Sequence, residues 1–268
     1  MFTFRKLTLG FIILLFALNL THFFACHNNW LDGHICTHTS LYIIILFCIY
    51  VGIAGFMAFF IKSGFHYPAI CRVNISEKKY SLTFDDGPEP EKTSAILEML
   101  NRHDIKGSFF LIGHKLTGNE QLIREMFQQG HLICNHSWSH SYWFDFFSSR
   151  RMRKEILKTA EKIEEITGKS TSLFRPPYGV INPMLSNALK GLGYRVIGWS
   201  FRSFDTIYSD PDKIIARILS NIRPGSILVF HDYVSNVPEI LIKIIPALKE
   251  LGYSCVSLDH LLETNAYA

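Results

Sequence analysis

Ser81-Leu82-Thr83-Phe84-Asp85-Asp86-Gly87-Pro88 places two carboxylates side by side where an apolar, β-prone stretch breaks at Gly-Pro. Adjacent residues at the end of a strand point to opposite sides, so the two acids are expected to take different jobs. Two widely separated segments offer partners: His136 and His140 as candidate metal ligands and His231 as a candidate proton donor. Together they point to a metal-dependent hydrolase.

From about Tyr80 onward, short β-rich runs alternate with amphipathic helical stretches. Strands are expected at Tyr80–Phe84, Gly107–Ile112, His131–Cys134, Ser172–Phe174, Arg195–Trp199, Ser226–Phe230 and Tyr253–Ser257. Helices are expected between them, at Lys92–Arg102, Glu120–Gln129, Arg151–Thr167, Pro183–Leu192, Pro211–Ile222 and Val237–Leu251. Such alternation implies parallel strands with right-handed crossovers, hence an α/β sheet or an incomplete barrel. In barrels of this kind chemistry gathers at the carboxyl ends of the strands. Asp85, Asp86, His136, Arg175, Asp205 and His231 all follow an expected strand closely, so one rim collects them.

His136-Ser137-Trp138-Ser139-His140 supplies two imidazoles four residues apart, which on one helical turn would face the same way and bind one ion. A chain with 12 histidines also yields this spacing by chance, and the bland reading is a polar loop. With a carboxylate from another strand end it becomes a two-histidine, one-aspartate set open to water and substrate; zinc suits it, and cobalt, nickel and iron fit the same donors. Phe174-Arg175-Pro176-Pro177-Tyr178-Gly179 reads either as a tight turn or as a stiff loop in which Arg175 pairs with a carboxylate and a backbone N–H faces an oxyanion. Ile227-Leu228-Val229-Phe230-His231-Asp232 puts a histidine at the mouth of a buried strand.

Four runs taken in order, TFDDGP at 83–88, HSWSH at 136–140, RPPYG at 175–179 and the last strand with His231, resemble the motifs of the polysaccharide deacetylase family, the NodB-homology or carbohydrate esterase 4 group. The resemblance covers roughly residues 78–262. It implies a distorted (β/α) barrel of about seven strands that removes an acyl group, N-acetyl first, from an amino sugar. By this resemblance Asp86, His136 and His140 hold a divalent metal, zinc first, with cobalt or nickel as alternatives. Asp85 is the general base positioned by Arg175, and the backbone N–H of Tyr178 stabilises the oxyanion. His231, oriented by Asp205, protonates the leaving amine. The chain departs from the family in its fourth motif, where Thr206 follows Asp205 in place of a tryptophan and Arg202 stands where many members carry an acid. Losing an indole is expected to change the acyl or sugar pocket.

The front of the chain is different in kind. With 48% hydrophobic and 19% charged residues the composition is too apolar for an average soluble enzyme, and the excess lies at residues 7–25 and 41–61. Residues 1–70 are expected to form a membrane anchor of two transmembrane helices, making this a multi-pass protein of the cell membrane in contact with lipid. A cleaved signal peptide followed by one anchor is the alternative. Arg5 and Lys6 precede the first run, and Lys62, Arg72, Lys78 and Lys79 follow the second, so the positive-inside rule puts both ends in the cytoplasm. Peptidoglycan lies outside, and a lipid-linked amino sugar at the cytoplasmic leaflet is therefore a second candidate substrate. A non-catalytic glycan-binding barrel is the third reading. The net charge of +4 gives no support to a nucleic-acid partner. Cys26 and Cys36 could pair if their loop faces an oxidising space; Cys134 is expected to be a core residue of a strand.

Overall fold

The computed structural model describes residues 3–27 and 39–267. They fall into two compact units, one ending at Pro68 and including Val180–Asn182, the other formed by Ala69–Gly179 and the chain from Pro183 on. In the first unit, α1 (Phe4–His27) and α2 (Thr39–Ala58) contain stretches, Phe4–Phe24 and Leu41–Ala58, long and apolar enough to cross a membrane. Length and composition do not separate the first from a signal sequence. Phe11 stacks on Tyr50 at 4.6 Å, and the hydroxyls of Thr8 and Tyr50 are 3.0 Å apart. The second apolar helix stops at Ala58, three residues short of the expected Ile61, which instead opens a 3₁₀ turn over Ile61–Ser63 closed by left-handed Gly64. The Cys36 partner proposed for Cys26 lies outside the described residues.

In the second unit the strands are β1 (Ala69–Ile70), β2 (Lys79–Asp85), β3 (Ser108–Leu111), β4 (Leu132–Asn135), β5 (Leu173–Phe174), β6 (Arg195–Ile197), β7 (Ser226–His231) and β8 (Ser254–Cys255). Their order across the sheet is β1-β6-β5-β4-β3-β2-β7, with β8 paired to β2, and every ladder is parallel. The sheet curls on itself. Among the described residues its two edges are joined by isolated bridges, Arg72 to Ser226 and Phe201 to Leu228, and not by a continuous ladder, so the barrel is incomplete. Crossover helices α3 (Pro90–Arg102), α4 (Glu120–Gln128), α5 (Ser149–Thr167), α6 (Pro183–Leu189), α7 (Pro211–Asn221) and α8 (Val237–Glu250) join successive strands as parallel pairing requires, and α9 (Leu258–Leu261) follows β8.

Period-two alternation sorts each strand between two apolar layers. Tyr80, Leu82 and Phe84 of β2 join Phe109, Leu111, Leu228 and Phe230 in a cluster that takes in helix residues such as Ile96, Leu100, Ile240 and Ile244. Phe110, Cys134, Leu173, Ile197 and Ile227 point the other way into a second, interior cluster. Full burial of each such Leu, Ile or Phe stabilises by roughly 1.5–3 kcal/mol, so the register is held strongly on both faces. Helix ends are fixed by ordinary means: Ser148 caps α5 by accepting from the Arg151 N–H, and Asp210 caps α7 ahead of Pro211.

Candidate active site

The interior face of β2 is polar. Ser81, Thr83 and Asp85 are buried there, and Arg175, fully buried just after β5, reaches across the interior to Thr83 and Asp85. Its Nη1 donates to Asp85 Oδ1 at 2.5 Å and to Thr83 Oγ1 at 2.9 Å; Nε and Nη2 donate to the carbonyls of Ile197 and Gly198. The guanidinium also lies 4.1 Å over the Phe110 ring. A buried guanidinium with this many acceptors is itself fixed in place and fixes its carboxylate partner in direction. Asp85 and Asp86 do separate, but not by strand alternation. Asp86 has left the strand with φ of 72°, and that left-handed turn re-aims its carboxylate.

Asp86 faces His136 and His140. Its Oδ1 lies 3.3 Å from His136 Nε2 and 3.2 Å from His140 Nε2. The two histidines are not on a helical turn: His136 directly follows β4, and Ser137 and His140 have φ of 66° and 45° in a loop. Local bonds replace the helix, Ser137 N–H donating to Asn135 Oδ1 and His140 N–H to Ser137 Oγ. His136 Nδ1 sits 2.7 Å from the Arg175 carbonyl oxygen, a pure acceptor, so Nδ1 carries the proton and Nε2 keeps a lone pair. That lone pair points at Asp86 Oδ1, a buried oxygen with no hydrogen-bond donor. Acceptors facing one another in a buried pocket are what a cation between them relieves, and the three ligand atoms lie within 4.8 Å of one another. The donor set therefore fits a divalent metal. Burial, with His136 beside it, pushes His140 down to about 4, so it too presents a lone pair at neutral pH.

His231 closes β7 and is paired in register with Asp85. Asp205, buried in the loop after β6, accepts from the His231 N–H at 2.7 Å and lies 3.1 Å from His231 Nδ1. Ser203 Oγ donates to the same carboxylate at 2.6 Å. Burial alone would lower the His231 pKa; the bond to Asp205 and the negative field of the rim raise it to about 9. At neutral pH this imidazole is a proton donor with Nδ1 already held.

Tyr178 lies in a 3₁₀ turn over Pro177–Gly179 with φ of 57°, and its hydroxyl donates to the His140 carbonyl at 3.3 Å. Gly179 at φ of 69° packs against the Trp199 indole so closely that a Cβ would collide with it. Thr206 is exposed, and Arg202 lies 5.8 Å from the Trp199 ring. Cys134 is buried in the interior cluster and burial pushes its thiol up, as befits a core residue.

Three residues of the site carried no motif. Lys115, in the turn after β3, donates from Nζ to the Asp86 carbonyl at 2.9 Å and pairs with Glu89. Asp232 donates its N–H to the Asp85 carbonyl, accepts from Thr93 Oγ1 at 2.7 Å, and lies against Gly87, where a Cβ would overlap its carboxylate. Burial raises its carboxyl to about 7. Asn135 braces the histidine loop through Ser137 and anchors to the Ile156 carbonyl. Only position at a strand end could have flagged them.

A curled parallel α/β barrel with paired carboxylates, histidines and a buried arginine on its carboxyl rim belongs to the class of barrels that gather their chemistry at the strand ends. The model of the polysaccharide deacetylase family matches residues 72–197. The chain is 34% identical over 200 residues to the peptidoglycan-N-acetylmuramic acid deacetylase PdaA of Bacillus subtilis, covering 73% of this chain and 76% of that one. Among solved structures it is similar to a peptidoglycan N-acetylglucosamine deacetylase at a TM-score of 0.69 and 29% identity, covering 74% of this chain and 94% of the other. It is also similar to a CE4 family pseudoenzyme from Bacillus anthracis, at a TM-score of 0.67 and 29% identity, covering 72% and 68%. The chain belongs to the polysaccharide deacetylase family, carbohydrate esterases that act on N-acetyl amide bonds.

Proposed function

We propose that this chain is a membrane-anchored, divalent-metal-dependent deacetylase of N-acetyl amino sugars in a cell-envelope glycan such as peptidoglycan. The observation that carries it is the division of the acidic pair: Asp86 Oδ1 lies against two imidazole nitrogens, while Asp85 is held apart by buried Arg175. Asp86, His136 and His140 would hold the ion, zinc by donor type and cobalt or nickel on the same ligands. When bound, the ion supplies Lewis acidity toward the acyl carbonyl and toward a water. Asp85, held in direction by Arg175, would take the proton of the attacking water as its oxygen adds to the carbonyl carbon. The Tyr178 backbone N–H is assigned to the developing oxyanion. His231 gives its proton to the amide nitrogen as the C–N bond breaks, so acetate and a free amino sugar leave. Asp205 engages Nδ1 and so leaves the Nε2 proton of His231 as the one to be given. Residues 1–70 are the anchor, through α1 and α2.

Zinc-loaded protein should release acetate from peptidoglycan or N-acetylglucosamine oligomers, and a chelator should abolish the release. Zinc-loaded protein that releases no acetate from any of them, with Asp85→Asn silent in cells, would leave only the glycan-binding barrel. The distribution of Lys and Arg around the apolar runs favours a second reading, deacylation of a lipid-linked sugar at the cytoplasmic leaflet. An alkaline phosphatase fusion after Ala268 separates the two: enzymatic activity of the fusion rules out the cytoplasmic placement.

A further inference from the structure

Beyond the His140 loop the chain turns a ledge of aromatic rings toward solvent. Phe144–Phe146 form a 3₁₀ turn in which residues three apart share a face. That period sends Phe144 and Phe147 inward, at 0% and 7% exposure, and leaves Trp143 and Phe146 outside at 69% and 80%, their rings 5.9 Å apart. Tyr142, 89% exposed, lies 6.4 Å from the Tyr178 ring at an interplanar angle of 18°. Tyr178 in turn packs 4.7 Å from the ring of His140, a proposed metal ligand. His140, Tyr178 and Tyr142 thus form a series of ring contacts running outward from the site, and the exposed Trp143–Phe146 pair follows next in the chain, on a turn anchored from within by Phe144 and Phe147. Exposed aromatics in a contiguous group mark a binding surface.

We propose that Tyr142 and Trp143 form a stacking subsite for the pyranose rings that flank the sugar being deacetylated, so that the chain selects for polymer over short fragments. This rests on the reading of the chain as a glycan deacetylase. The axial C–H groups of a pyranose make an apolar, weakly positive face that suits the negative face of an aromatic ring, while the equatorial hydroxyls stay in water. The Tyr142 and Tyr178 rings, 6.4 Å apart and 18° from parallel, turn faces of similar orientation beside the site. A bilayer surface is the competing occupant. It is disfavoured because three of the neighbouring cations are engaged within the chain, Arg151 lying 3.4 Å over Phe147, Lys158 lying 3.6 Å over Trp138 and Arg153 donating to the Ala188 and Lys190 carbonyls, which leaves Arg150 and Lys154 exposed.

The test uses the full chain in detergent, loaded with zinc, and the ratio of kcat/KM for the hexasaccharide of N-acetylglucosamine to that for the disaccharide. Tyr142→Ala and Trp143→Ala should each lower this ratio about tenfold through KM, equivalent to about 1.4 kcal/mol, and Tyr142→Phe should restore it. In an Asp85→Asn background, the Kd for the hexasaccharide should weaken by the same factor. An unchanged ratio and unchanged Kd in variants that melt like the parent would overturn the subsite. So would loss of binding to phosphatidylglycerol vesicles with the ratio intact, which assigns the ledge to the membrane. Absence of turnover on every glycan by the parent chain defeats the deacetylase reading instead, and the binding measurement then decides the ledge alone.

Discussion

Arg175 and Asp85 meet inside the barrel with both side chains closed to solvent, Nη1 donating to Oδ1 at 2.5 Å. Removing one partner leaves an uncompensated buried charge, which costs about 3–5 kcal/mol. Arg175→Met should therefore lower the thermal midpoint of the catalytic unit substantially and abolish acetate release. Arg175→Lys, which has no fork to span Asp85, Thr83 and two carbonyls, should also fail to support turnover. A Lys variant with parental activity and melting would show that the fork is dispensable.

Metal affinity should split the acidic pair. Asp86→Ala, His136→Ala and His140→Ala are expected to weaken zinc binding strongly in calorimetric titrations. Asp85→Asn should bind zinc like the parent while losing about 10²–10⁴-fold in kcat. Equal zinc affinity in Asp85→Asn and Asp86→Ala would mean that the two roles have been assigned wrongly.

The alkaline limb of activity should belong to His231. Its pKa is raised from 6.5 to about 9, so the proton donor is present through neutral pH, and kcat/KM should fall as pH rises through about 9. The same shift makes protonated His231 stabilising, fully so below about 6.5 and lost as pH climbs to about 9. Asp205→Asn removes the main raising influence and leaves burial opposed only by the charges of Asp85 and Asp86, so the limb should move to lower pH. A limb that stays in place would assign the proton donor elsewhere.

Gly87 and Asp232 should be energetically coupled. Gly87→Ala drives a Cβ into the Asp232 carboxylate and should destabilise the unit and weaken activity together. In an Asp232→Gly background the space is free, and the added cost of Gly87→Ala should drop markedly. Additive effects on urea midpoints would exclude direct contact as the cause.

Most of the barrel was legible because each long strand carries its own signal. The expected Tyr80–Phe84 became Lys79–Asp85, and Ser226–Phe230 became Ser226–His231. The expected Tyr253–Ser257 shrank to Ser254–Cys255, and Ala69–Ile70 went unseen, since a two-residue strand has no period to read. The histidine pair was found for an incorrect geometric reason: Asn135 and Ser137 bend the chain by side-chain bonds that no i, i+4 spacing reveals. Lys115 and Asp232 stayed hidden because they bond backbone carbonyls of the acidic turn, Lys115 through a side chain that any residue of suitable reach could replace and Asp232 through its own N–H, which leaves no trace in sequence.

The two faces of β2 also determine how this protein can lose its chemistry. Odd positions Ser81, Thr83 and Asp85 serve the interior, and even positions Tyr80, Leu82 and Phe84 serve the packing under the helices. A deletion of one residue between them would exchange the two sets and destroy fold and site at once. A point substitution at an odd position leaves the helix-facing wall intact. A deletion in this strand is thus eliminated with the fold, whereas a substitution on the odd face can persist as a folded, silent barrel.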